Sequence, residues 1–146
     1  MRYVFDSSAL LNIVRALGED SLKYIRGSYI STLTLYEVSN ALWKEATLLN
    51  RLSIEEALSL LGAIKNIYRV LRIVEPRDIL LTLNLAYRLK ITYYDSSYII
   101  TAYEMNADLV TDDEKLKKRV KENRNILLEL LGKEIAIYSS RDLIKS

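Results

Sequence analysis

The sequence predicts an α/β fold of one domain, residues 1–146, with a central parallel sheet of four or five strands and a helical-hairpin arm. Three observations predict it. Short β-rich runs alternate with longer stretches of helical period, as they do when helices cross between parallel strands. Two helical stretches follow the second strand with no strand between them. Half the residues are apolar and 27% are charged, with only four Gly and one Pro, which excludes disordered, collagen-like and linker-rich classes.

Taken in order, the strands fall at Tyr3–Phe5, Ser28–Ser31, Leu71–Val74, Asp108–Val110 and Glu134–Tyr138. After the second, Leu35, Val38, Leu42, Ala46 and Leu49 recur on one helical face. Ser53-Ile54-Glu55-Glu56 reads as a capping box opening the next helix, which continues through Ala57, Leu60, Leu61, Ile64 and Tyr68. These two helices form the arm. Pro76 suits a first helical turn, and Ile79, Leu83, Ala86 and Tyr87 carry that period to about Leu89. Further helices follow Asp95 and Asp113.

The chain has no His and no Cys, so imidazole bases, thiolates, disulfides and Cys- or His-based metal sites are impossible. Catalysis is left to carboxylates, hydroxyls, amines or a bound metal. The net charge of +2 is too small to indicate a nucleic-acid partner by itself. The longest uncharged run, residues 27–36, is far short of a membrane span, and the chain reads as cytoplasmic and unprocessed. Missing Gln and plentiful Ile and Leu lean towards a heat-adapted source.

Right-handed crossovers gather helix N-termini at the carboxyl end of the sheet, where open α/β folds place ligands. Asp6, Glu37, Asp95, Asp112 and Asp113 all belong to that rim. Singly, each has a structural explanation: Asp6-Ser7-Ser8 and Asp95-Ser96-Ser97 look like caps, and Thr34–Glu37 and Thr111–Glu114 fit capping boxes. Jointly, converging carboxylates repel one another unless a cation holds them. Oxygen-only ligands select a hard ion, Mg²⁺ or Mn²⁺, able to activate water and stabilise a phosphoryl group. Metal-assisted phosphodiester hydrolysis is the implied chemistry.

These residues resemble the PIN-domain ribonucleases, particularly the VapC-like toxins of VapBC-type toxin–antitoxin systems. Phe5-Asp6-Ser7-Ser8-Ala9-Leu10-Leu11 is similar to the opening acid motif, and Leu35-Tyr36-Glu37-Val38 to the Glu-bearing helix. Tyr94-Asp95-Ser96-Ser97-Tyr98 and Ala107-Asp108-Leu109-Val110-Thr111-Asp112-Asp113-Glu114-Lys115-Leu116 resemble the closing acid motifs. The resemblance implies a PIN-like three-layer α/β/α fold and a Mg²⁺- or Mn²⁺-dependent endoribonuclease, often a homodimer held inactive by a cognate VapB-like antitoxin. It carries the family's acids over to Asp6, Glu37, Asp95 and Asp113, and its hydroxyls to Ser8 and Thr111; Asp112 competes with Asp113. Asp6 and Asp95 would ligate the metal, while Glu37 and Asp113 bind it or orient its waters. Attack by an activated water leaves 5′-phosphate and 3′-hydroxyl ends.

Lys115, Lys117, Lys118, Arg119, Lys121 and Arg124 follow the fourth acid, either to meet phosphates or as the solvated face of a helix. Tyr93, Tyr94 and Tyr98 read as core packing before base stacking, and Trp43 as a core or partner-interface anchor on the arm. Three alternatives stand beside the toxin reading. A PIN-type nuclease of RNA maturation shares its chemistry, and a non-catalytic binding module would use the acids only as caps. A signalling receiver needs an Asp after the third strand, where the sequence has Glu75-Pro76.

Overall fold

The computed structural model describes residues 2–145 and contains one parallel sheet of five strands in the order β3-β2-β1-β4-β5. β1 (Tyr3–Phe5) is central, β2 (Tyr29–Ile30) and β4 (Asp108–Val110) flank it, and β3 (Arg72–Ile73) and β5 (Ile137–Tyr138) are the edges. The expected runs Ser28–Ser31, Leu71–Val74 and Glu134–Tyr138 thus shorten to two-residue ladders. For β2 the reason is local, because Ser31 already caps the helix that follows.

The two-residue side-chain period of a strand divides the apolar residues between two cores. Phe5, Ile30 and Val110 pack on one face of the sheet, against α1 (Ser7–Leu17), α3 (Thr32–Thr47), α4 (Ile54–Ile67) and α9 (Ser140–Lys145). Val4, Tyr29 and Leu109 pack on the other, against α5 (Ile79–Leu89), α6 (Tyr93–Met105), α7 (Glu114–Glu122) and α8 (Arg124–Leu131). The register agrees, with Val4 opposite both Tyr29 and Leu109 and Phe5 opposite Val110. This is the PIN-like α/β/α layering expected, completed by α2 (Leu22–Ile25). Among the described residues no helix is long and apolar enough to cross a membrane.

α3 and α4 pack together as the arm, and Ser53 and Glu56 form the expected reciprocal cap at 3.1 Å in each direction. Its outer surface is apolar: Tyr36, Trp43, Leu48, Ile54 and Leu58 are all more than half exposed. Trp43 is therefore not a core residue, and Leu49 lies beyond the end of α3, exposed.

Four helix caps differ from expectation, each because another polar side chain takes the cap, although α7 does start directly after Asp113 as expected. Asp78, not Pro76, opens α5 by accepting from Leu81 N at 2.9 Å, so Pro76 lies in the connection from β3. Thr92 caps α6 through Asp95 N at 3.0 Å, which moves Asp95 inside the first turn. Ser31 and Thr34 form the box on α3, leaving Glu37 beyond it. Asp113, not Thr111, caps α7. Capping therefore accounts for Asp6 and Asp113 but not for the carboxylates of Asp95 and Glu37.

Candidate active site

The strand order reverses between β1 and β4, whose following helices α1 and α7 leave towards opposite faces of the sheet. A crevice at such a switch point is where this class of fold binds ligands. Asp6 stands there, 6% exposed, at the end of β1. Its Oδ1 accepts from Ala9 N at 2.9 Å and from Ser8 Oγ at 2.7 Å, and its Oδ2 accepts from Thr111 Oγ1. Both hydroxyls are themselves oriented by the chain beyond β4: Asp112 N donates to Ser8 Oγ and Asp113 N to Thr111 Oγ1, each at 3.0 Å. Two backbone amides thus act through two hydroxyls on the two oxygens of one carboxylate. Burial nevertheless pushes the Asp6 carboxyl up to about 6, outweighing these donors, and the charge of Asp112 adds to the rise.

Asp95, half-buried on α6, is also raised, chiefly by burial, then by the charge of Asp113 and, less, by Glu37; the Thr92 hydroxyl opposes the shift. Glu37, on α3, accepts from the Tyr98 hydroxyl at 2.6 Å. Tyr98 is 2% exposed and its hydroxyl is raised by burial and by Glu37. Among the described residues, none of the ion pairs involves Asp6, Glu37, Asp95 or Asp113. Nor does any group of three acids among them stand ready to hold a metal ion as it is.

The two neighbouring acids separate by their partners. Asp112 Oδ2 accepts from Asn12 Nδ2 at 2.7 Å and Ser140 Oγ at 2.5 Å, while its Oδ1 accepts from Ser140 N at 2.7 Å. Its carboxylate ties α1 to α9. Asp113 spends one oxygen on Leu116 N at 3.1 Å, and its charge bears on Asp95. Asp112 thus has its carboxylate taken up in joining α1 to α9, while among the described residues one oxygen of Asp113 keeps no hydrogen-bond donor.

The donor set suits a hard cation. A carboxylate offers about four lone-pair directions. Asp6 has three in use and the fourth, on Oδ2, remains for a ligand. No nitrogen or sulfur donor of the His or Cys type exists in the chain.

Around this crevice the basic helix is divided. Lys117 pairs with Glu114 at 3.7 Å, Lys118 with Glu122 at 3.9 Å, and Arg124 with Glu134. The groove of about 800 Å³ beside α7 sets Asp108, Glu114 and Glu134 against its four cations, so it is no uniform phosphate track. Lys115 and Arg119 lie outside that groove, exposed. Of the tyrosines, Tyr98 is core as expected, but Tyr93 and Tyr94 are 40% and 59% exposed. The spacing Thr34–Glu37 and Asp95–Tyr98 carried a signal that was missed: each pair lies three residues apart, on one helical face. Nothing in the sequence marked the partnership of Asn12, Asp112 and Ser140.

The PIN domain family model matches residues 3–122, from β1 to the end of α7. The chain belongs to the PIN-domain family. Exonuclease VapC9 of Pyrobaculum aerophilum is 31% identical over 121 residues, which cover 83% of this chain and 87% of that protein. The crystal structure of PAE2754 from Pyrobaculum aerophilum matches this PIN domain with a TM-score of 0.69 at 28% identity, over 91% of this chain and 97% of the other. VapBC-1 from nontypeable Haemophilus influenzae, with a TM-score of 0.59 at 16% identity over 97% and 99%, shares the fold. In this PIN domain α8, β5 and α9 lie beyond the matched segment, and α9 reaches back to the crevice through Ser140.

Proposed function

We propose that this protein is a Mg²⁺- or Mn²⁺-dependent endoribonuclease acting in the cytoplasm as the toxin of a type II toxin–antitoxin pair. The observation that carries the reading is the buried, triply bonded Asp6 with one free lone-pair direction, at the carboxyl end of the sheet, together with Asp95 and Glu37 near helix starts that other residues cap. Asp6 and Asp95 would hold the ion, with Glu37 and Asp113 acting through its waters; a hexacoordinate hard cation keeps several waters, so few direct carboxylates suffice. When bound, such an ion activates water and stabilises charge on the phosphoryl oxygens. Glu37 or Asp113 would take the proton of the attacking water. Hydrolysis by water leaves 5′-phosphate and 3′-hydroxyl ends.

The VapC9 relative bears the name exonuclease, so internal cleavage needs a substrate without ends. Circular single-stranded RNA is expected to be linearised with Mn²⁺ and left intact with EDTA, and end-group analysis is expected to find 5′-phosphate. Degradation of linear RNA alone would replace the endonuclease by an exonuclease. Failure on both would leave a binding module.

Partner binding rests on two exposed apolar faces. The arm surface around Trp43 supports an antitoxin contact, and the α5 stripe of Leu80, Leu83 and Tyr87, 78%, 59% and 80% exposed, supports pairing with a second copy. Leu83→Glu is expected to convert a dimer to a monomer by light scattering; an unchanged mass would remove α5 from the interface.

A further inference from the structure

We infer that Tyr98 is a positioning residue for Glu37, holding that carboxylate at the rim through a directed chain of hydroxyls. The inference rests on the nuclease reading and deepens it, because no motif quoted above assigns Tyr98 any role in the site.

The geometry sets the direction of the chain. Ser31 N donates to Thr34 Oγ1 at 3.1 Å. Thr34 Oγ1 and the Tyr98 hydroxyl are 3.0 Å apart, and the Tyr98 hydroxyl lies 2.6 Å from Glu37 Oε1. An ionised carboxylate only accepts, so the Tyr98 proton is committed to Glu37. Thr34 must then donate to Tyr98. The order is backbone amide, Thr34, Tyr98, Glu37, and each bond polarises the next.

Packing makes this chain stiff. The Tyr98 ring is buried among Val4, Leu85, Ile99 and Leu109 in the core on the α6 side, so its hydroxyl cannot swing away. Glu37 is half-buried, and among the described residues Tyr98 is its one hydrogen-bond donor. A glutamate has side-chain rotamers to lose when it must hold a fixed place. The bond confines Oε1 and leaves Oε2 for the ion or its water. Because Tyr98 sits one turn after Asp95 on α6, the same bond ties the helix carrying Glu37 to the helix carrying Asp95.

The test compares wild type, Tyr98→Phe, Glu37→Gln and the double variant. Its readouts are kinetics on circular RNA and the Mn²⁺ dependence of the melting temperature without RNA. Tyr98→Phe is expected to lower kcat about tenfold with KM for RNA unchanged, and to raise the half-saturating Mn²⁺ concentration several-fold, in line with loss of a hydrogen bond to a charged group. In the Glu37→Gln background the same change should cost less than about twofold, since a residue acting through another shows strong coupling to it. Wild-type kcat and Mn²⁺ midpoint in Tyr98→Phe, or an equal loss in both backgrounds, would overturn the inference. Should Tyr98→Phe not fold, Thr34→Val against Thr34→Ser reads the same chain. Val is expected to lower kcat only where Glu37 is present and Ser to match wild type; equal losses with and without Glu37 overturn it. Failure of wild type to shift with Mn²⁺ and to cleave would instead overturn the nuclease reading, and this inference with it.

Discussion

Asp6→Asn is expected to lower Mn²⁺-stimulated RNA cleavage by about a thousandfold, on the order of 4 kcal/mol of transition-state stabilisation. The metal-free variant is expected to be as stable as wild type or more so. The amide oxygen can still accept from Ala9 N and Ser8 Oγ, so the cap on α1 survives. Thr111 can turn its hydroxyl from donor to acceptor. What disappears is a buried charge. The Asp6 carboxyl is raised from 3.8 to about 6, so between those values the folded chain holds a proton that the unfolded chain has released. Stability of the metal-free protein therefore falls as pH rises through that window, by up to roughly 3 kcal/mol for this one group, and levels off above it. Asp95, also raised, acts in the same sense, while Glu45, lowered first by its bond to Arg15, acts in the opposite one. The difference between wild type and Asp6→Asn isolates the contribution, measured by urea unfolding in EDTA from pH 4 to 7. Retained cleavage, or parallel pH profiles for the two proteins, would show that Asp6 is only a cap.

Asp112 and Asp113 are expected to respond oppositely to removal, although they are adjacent in sequence. Asp112→Ala strips three hydrogen bonds that join α1 to α9 and leaves Ser140 N and Oγ without their acceptor. The expected cost is about 2–3 kcal/mol of stability. Below the lowered melting temperature, cleavage should fall by less than about tenfold, since this carboxylate is a strut. Asp113→Asn keeps an acceptor for Leu116 N, so stability should change by no more than about 0.5 kcal/mol. Its cleavage should fall by about a hundredfold or more through loss of the charge beside Asp95. Melting curves and kcat on circular RNA decide both, and the reverse pattern would place Asp112 at the metal.

The two large effects differ in how far they could be read from the chain. Asp6 was legible because a strand of Tyr3-Val4-Phe5 followed by an Asp and a helical period forces that Asp to the carboxyl end of the sheet. Asp95 and Glu37 were legible as rim residues, but their freedom from capping was not. Thr92 and Ser31 compete for the same orphan amides, and several polar residues near a helix start are near-equal candidates until the chain direction is known. Tyr98 was read as core and is core; its hydroxyl's partner lies 61 residues away. Ser140 opens α9, 28 residues from Asp112 in the connection after β4, so no local pattern could link them.

Taken alone, the amino-acid order settled the class of fold, its helical-hairpin arm, and a chemistry confined to oxygen ligands by the lack of His and Cys. Those properties depend on residue type and short periods, which are local. Tertiary structure alone decided which acids are struts, which are caps and which are free, because that depends on donors arriving from distant segments. In this PIN domain, the paired residues of β1 and β4, such as Phe5 and Val110, are 105 residues apart, and their ends become one crevice only when the sheet pairs them.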